Sequence, residues 1–259
     1  MVQTTSQRYL RKICYIMYKP KFHNGEFRRP DLQYFIPNSE GKTILYTYIR
    51  KNACSAFKRI INDKTGGSGI SGMKDFRWDR KSINFDCAIF VYRKPFERFV
   101  SAFSNKFIQR SGNRDIFENF AKLTGKDPST ATFRDFVDYA ELPFKDIDAH
   151  VWPQKSHLLD IEYTHAINID KLSEVMSKEF PSLSRYFNNK VNKSMYRSDL
   201  VDAKDLTDVP ASEIDHYSTV SFEAMRGPIE RRYIQDIEML KEISNNNSSE
   251  TARIATPIP

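Results

Sequence analysis

From Ile44 to Ile49 nearly every position is apolar, β-branched or aromatic, the pattern of a buried strand. Ala56, Phe57, Ile60 and Ile61 follow at the i, i+1, i+4, i+5 spacing of one helix face. Between the two patterns, Arg50 to Ser55 make a short polar turn. The same sequence of events recurs downstream. Phe85 to Tyr92 predicts a second strand, Pro95 suits the first turn of a helix, and Phe96, Phe99, Val100, Phe103 and Phe107 form its apolar face. Thr132 to Ala140 predicts a shorter helix that buries Phe133, Phe136, Val137 and Ala140. Ile161 to Ile169 predicts a third strand, followed by a helix with Asp170 as its N-cap and Leu172, Val175 and Met176 inward. Pro228 opens a last helix bearing Ile229, Tyr233, Ile237 and Leu240. Strands alternating with helices predict an α/β fold of three layers, α/β/α, around a central parallel sheet.

The flanks lack this periodicity. Residues 1–40 are basic and aromatic, with Arg8, Arg11, Lys12, Lys19, Lys21, Arg28 and Arg29, while Pro20, Pro30 and Pro37 argue against one long helix. They read as an irregular N-terminal arm on a domain spanning 41–243, and the Asn/Ser-rich residues 244–259 as a flexible tail. Thr65 to Gly72 carries four of the nine glycines and reads as a loop after the first helix.

Composition narrows the function classes. Hydrophobic residues are 40% of the 259, enough for a globular core. A formal net charge of +7 favours anionic ligands: nucleotides, acidic glycans, nucleic acid or a membrane surface. The three cysteines, Cys14, Cys54 and Cys87, form no CxxC pair, which favours a reducing compartment. The apolar residues from Leu10 to Tyr18 are interrupted by Arg11 and Lys12, so no secretory signal is read, and no apolar run approaches a membrane span. The expectation is a cytoplasmic protein without a transmembrane segment, free or peripheral to a membrane.

A strand that turns into a helix presents unpaired N–H groups at the helix N-terminus, a site for an anion. Lys51 lies in the first such turn, with Ser55 as N-cap or hydroxyl ligand. The glycine spacing of a Walker A loop is missing, and on its own the turn equally suits an ordinary connector. The second junction changes the balance. Arg93 ends its strand and Ser101 lies two turns into the next helix, a guanidinium and a hydroxyl suited to one phosphate. Two phosphate sites on one sheet edge suit a nucleotide phosphorylated at two positions. Glu97 reads as a salt-bridged surface residue.

Arg93, Pro95, Phe96, Arg98, Ser101, Ala102, Lys106 and Phe107 stand in register with the 3′-phosphate motif of the carbohydrate sulfotransferases, the family of chondroitin and related Golgi enzymes and their bacterial relatives, which the chain resembles. Lys51, Ala53, Cys54, Ser55, Phe57 and Lys58 are similar to that family's 5′-phosphosulfate loop, with Arg50 where proline is usual. His150, Pro153 and Gln154 keep the spacing of a third motif, with Trp152 displaced by one position. Asn192-Lys193-Ser194 and Tyr233, Asp236 and Ile237 are further landmarks, so the resemblance spans about residues 43–240.

The resemblance implies a P-loop-like nucleotide-binding sulfotransferase fold and a donor, 3′-phosphoadenosine-5′-phosphosulfate (PAPS), used without a metal. It implies that Arg50, Lys51, Asn52, Ala53, Cys54 and Ser55 hold the 5′-phosphosulfate, that Arg93 and Ser101 hold the 3′-phosphate, and that Lys51 and His150 are catalytic. Arg98 and Lys106 are lesser candidates for the 3′ pocket, and Asp148 is the rival to His150 as base. The acceptor would be a hydroxyl of a glycan or glycolipid. Two other readings stand beside this one: a nucleotide-dependent phosphotransferase, and a basic nucleic-acid-binding module. The second lacks a recognition-helix, zinc-finger or RNP signature. His157 and His165 carry no assigned role.

Overall fold

In the computed structural model, β3 (Thr43–Thr47), β4 (Cys87–Tyr92) and β5 (Tyr163–Asn168) lie side by side and parallel, Ile44 opposite Cys87 and Ile89 opposite His165. The structure describes residues 15–37, 40–69, 71–79, 84–188, 204–215 and 220–255. The sheet is mixed. Its edges are β1 (Tyr15–Tyr18), antiparallel to β5, and β2 (Gln33–Pro37), antiparallel to β3, giving the order β1-β5-β4-β3-β2. The expected central parallel sheet is present in β3, β4 and β5, and the two edge strands run antiparallel to it. Both edge strands come from the segment read as an arm, so Tyr15–Tyr18 and Gln33–Pro37 of that segment belong to the sheet.

Alternation along the central strands sends side chains to two covered faces. Ile44, Tyr46, Ile89 and Val91 pack with α1 (Cys54–Thr65) and α5 (Leu172–Glu179). Leu45, Ala88 and Phe90 face the other way, toward Met239 and Ile243 of α7 (Ile234–Ala255). A third, largely aromatic core joins α2 (Pro95–Phe103), α3 (Arg114–Thr124), α4 (Phe133–Glu141) and α6 (Arg226–Arg232) through Phe99, Phe103, Phe120, Phe133 and Phe136. It anchors α2 beyond the carboxyl end of β4. A short parallel pair, β6 (Lys204–Asp205) and β7 (Val220–Ser221), lies apart from the main sheet.

Several boundaries differ from expectation for local reasons. The N-cap of α5 is Lys171, not Asp170, and Asn168, whose side chain accepts from Asp170 N–H, caps the 3-10 turn Ile169–Lys171 that leads into it. The helix expected from Pro228 is broken at Tyr233, which ends α6 with its hydroxyl donating to Val151 O. The helix α7 runs to Ala255, past Ser244 where the tail was placed. The helix α3 has no counterpart among the sequence expectations. Among the described residues no helix is long and apolar enough to cross a membrane. Cys54 and Cys87 are free thiols, Cys87 buried in β4. Cys14 and Asn192-Lys193-Ser194 lie outside the described residues.

Candidate active site

The first junction is a tight left-handed turn. Lys51 and Ala53 have φ of 71° and 58°, a region that L-residues with a Cβ occupy at a cost and that clusters at functional sites. Ala53, not Ser55, is the N-cap of α1, and no side chain caps the helix. Its first N–H groups, those of Cys54 and Ser55, therefore open the helix uncapped, with the positive end of the dipole behind them. Asn52 N–H is engaged by Ile49 O at 3.2 Å. Ser55 is exposed in the first turn.

Lys51 Nζ donates to Asn105 Oδ1 at 2.9 Å. An amide fixes the ammonium without neutralising it. Burial lowers the Lys51 pKa to about 8, and Lys106, Arg93 and Arg98 push the same way. Asn105 reaches this position from an irregular segment. Beyond α2, residues Ser104–Ile108 form a π-turn, closed by Gln109 N–H to Ser104 O at 2.9 Å. Such insertions in a helix are rare and recur at functional sites.

At the second junction, Glu97 and Ser101 fall at i and i+4 and share one side of α2, and Arg93 lies just ahead of the helix, before its N-cap Lys94. Arg93 Nε is buried and has no hydrogen-bond partner among the described residues; Glu97 is 3.9 Å away, and also 3.7 Å from Lys94. An orphaned guanidinium nitrogen suits an incoming anion. Arg98 takes a different role. It is fully buried and donates to Arg50 O at 3.1 Å and Trp152 O at 2.8 Å, so it pins the first loop from beneath. Lys106 donates to Ser111 O and Gly112 O at 2.7 and 2.9 Å and closes the α2–α3 loop.

One glutamine joins the two junctions. Gln154 Oε1 accepts from Asn52 Nδ2 at 2.6 Å and from Arg93 N–H at 3.0 Å, while its Nε2 donates to Arg93 O at 2.8 Å. The Asn52 side chain, which also donates to Val91 O at 2.8 Å, is thus a structural tie. Gln154 is held in turn by Asp236 of α7, which accepts from the N–H groups of Gln154 and Lys155, each at 2.9 Å. Burial raises the Asp236 pKa against these bonds and the Arg98 charge.

His150 lies beside the first loop. Its Nδ1 is 2.6 Å from Asp148 Oδ1, and Arg50 Nη1 is 3.3 Å from both Asp148 oxygens. Burial would raise the Asp148 pKa, but its bond to His150 and the nearby positive charge outweigh that and hold it at about 2. The ionised carboxylate accepts from Nδ1–H and leaves the lone pair on Nε2, which has no hydrogen-bond partner among the described residues. Burial, aided by Arg50 and Lys106, lowers the His150 pKa to about 4 despite Asp148, so the ring is neutral at pH 7. The fold thus makes the two candidate bases a pair. His157 is buried against Trp152, and His165 packs on Phe180.

Among the described residues one group of possible metal ligands, His23, Glu26 and Glu238, comes within 4.8 Å of one another. None of the three belongs to either junction.

A family model described as "Sulfotransferase family" matches residues 35–241. No curated protein and no solved structure matches the chain.

Proposed function

The chain belongs to the sulfotransferase family, and we propose that it transfers a sulfuryl group from PAPS to a hydroxyl of a carbohydrate or glycoconjugate acceptor. The observation that carries this reading is buried positive charge between the two junctions. Lys51, Arg93 and Arg98 have no hydrogen-bonded carboxylate among the described residues, and burial lowers the pKa of each. Burial of these cations is offset only in part, by Glu97 3.9 Å from Arg93 and by Asp236 near Arg98, and an anion with phosphate at both ends would relieve them further. The donor would supply the sulfuryl group and depart as adenosine 3′,5′-bisphosphate. Lys51 and the uncapped N–H groups of α1 would hold its 5′ end, and Arg93 with Ser101 its 3′-phosphate. His150 Nε2 would take the acceptor proton. An acceptor screen with sulfur-labelled PAPS, read by mass spectrometry, tests the reaction; no labelled product across glycans, glycolipids and small alcohols would count against it.

Arg93→Ala is expected to weaken adenosine 3′,5′-bisphosphate binding by about 10- to 100-fold, since a charge-assisted bond contributes about 1.5–3 kcal/mol. Ser101→Ala should cost less, and neither should alter AMP binding. Calorimetry showing equal losses for AMP and the bisphosphate would remove the 3′-phosphate assignment.

Lys51 gives a proton-linked signature. A bound anion must raise its pKa from about 8, so binding at about pH 8 should take up protons. Affinity should then fall as pH rises through that value, because the deprotonated amine must be recharged. Titrations in buffers of different ionisation enthalpy read the uptake directly. Binding heats independent of buffer at that pH would show that Lys51 does not meet the anion.

A further inference from the structure

Arg50 has its backbone in the donor loop and its side chain elsewhere. Its guanidinium straddles the Asp148 carboxylate, with Nη1 3.3 Å from each oxygen and 3.2 Å from His150 Nδ1. The contact is shielded from bulk water: the side chains of Arg50, Asp148 and His150 are only 18%, 10% and 14% exposed. The Arg50 carbonyl is itself fixed by Arg98 Nε. One residue thus spans the loop that carries Lys51 and the pair that presents His150. Proline, usual at this position in the motif that the loop resembles, offers neither the charge nor the reach.

We propose that Arg50 is a positioning residue that ties the donor loop to the acceptor base, holding Asp148 in place to accept the hydrogen bond from His150 Nδ1–H and keeping the imidazole neutral with Nε2 free. This rests on the sulfuryl-transfer reading with His150 as base. Asp148 and Arg50 act on the ring in opposite senses. A carboxylate alone beside an imidazole favours the imidazolium, which has no lone pair to accept a proton. Arg50 offsets that pull by engaging the carboxylate and placing a second cation near the ring. Its Nη1 bonds the carboxylate and not Nδ1, because Nδ1 already carries a proton directed at Asp148. Lys106 is the other charged group acting on His150, in the same sense as Arg50.

The test is the imidazole titration of His150, read by NMR on protein labelled at its five histidines, with the resonance assigned from His150→Gln. Arg50→Met is expected to raise the titration midpoint by about one pH unit, and Arg50→Lys to bring it back toward the wild-type value. Asp148→Asn should move it the opposite way, downward. Unfolding cannot produce this set, since an unfolded chain would give a midpoint of about 6.5 in every variant. Should Arg50→Met fail to fold, Arg50→Gln provides a second neutral side chain. An unchanged midpoint in the folded neutral variant, or one in Arg50→Lys as high as in Arg50→Met, would overturn the proposal. The titration needs neither donor nor acceptor, so it is read even if no sulfuryl transfer occurs, whereas failure of that reading shows separately as no bisphosphate binding. Once an acceptor is found, the acidic limb of kcat/KM should move upward in Arg50→Met and return in Arg50→Lys.

Discussion

Lys51→Ala is expected to lower kcat by about 10²–10³-fold while weakening adenosine 3′,5′-bisphosphate binding far less. The reason lies in where charge changes. As the bond to sulfur breaks, negative charge gathers on the departing phosphate oxygen, and a buried ammonium beside it stabilises that state more than the bound donor. Lys51 suits this task because it is fixed by Asn105, a neutral partner that leaves its charge uncompensated. Bound product would keep the helix N-terminus and Arg93, so much of its affinity should survive the substitution. Single-turnover rates and calorimetry on one preparation separate the two quantities. A loss of binding as large as the loss of rate would make Lys51 an anchor for the donor and not a catalyst. Tight Mg-ATP binding with no binding of the bisphosphate would favour the phosphotransferase reading instead.

His150→Ala is expected to reduce turnover by about 10²–10⁴-fold with bisphosphate affinity retained. The base must be neutral to accept a proton, and burial holds the His150 pKa at about 4. In the free enzyme its activity should therefore stay level as pH falls from neutrality and decline only through about pH 4. A bound anionic donor would raise the same pKa, so the limb in kcat should lie at higher pH than in kcat/KM for the donor. Asp148→Asn should lower kcat by disturbing the Nδ1–H tautomer that leaves Nε2 free. An active His150→Ala enzyme alongside an inactive, folded Asp148→Asn enzyme would transfer the base to the carboxylate. Circular dichroism and thermal midpoints establish that both variants are folded.

The parts of this site that the sequence discloses are those set by local rules. Lys51 and Arg93 stand where strands give way to helices, and the apolar runs before and after them locate both junctions. Side-chain direction is another matter. Arg98 and Arg50 belong to readable motifs, yet Arg98 turns toward two carbonyls and Arg50 toward a carboxylate 98 positions away. Asn105 depends on a π-turn that interrupts a continuous helical pattern, and no composition signal announces it. Gln154 appears within a motif, but its bonds to Asn52, Arg93 and Asp236 are long-range. The edge strands were hidden for a related reason. β1 and β2 are short, lie among prolines and charges, and pair with strands far along the chain or across a turn. The break at Tyr233 follows from its hydroxyl reaching Val151, a contact that helix periodicity does not encode.

The carboxylate of Asp236 has a consequence for the order in which this protein becomes competent. Both loops are encoded in the first 107 residues and Gln154 follows, but the residue that secures Gln154 comes more than eighty positions later. On the ribosome, where folding starts from the N-terminal side, a growing chain carries Lys51 and Arg93 well before Asp236 emerges to fix the register between them. For that interval the nascent protein has Lys51 and Arg93 but not the carboxylate that secures Gln154 between the two junctions. The tie that Gln154 makes between the two junctions is therefore completed only once Asp236 has emerged, at the start of α7.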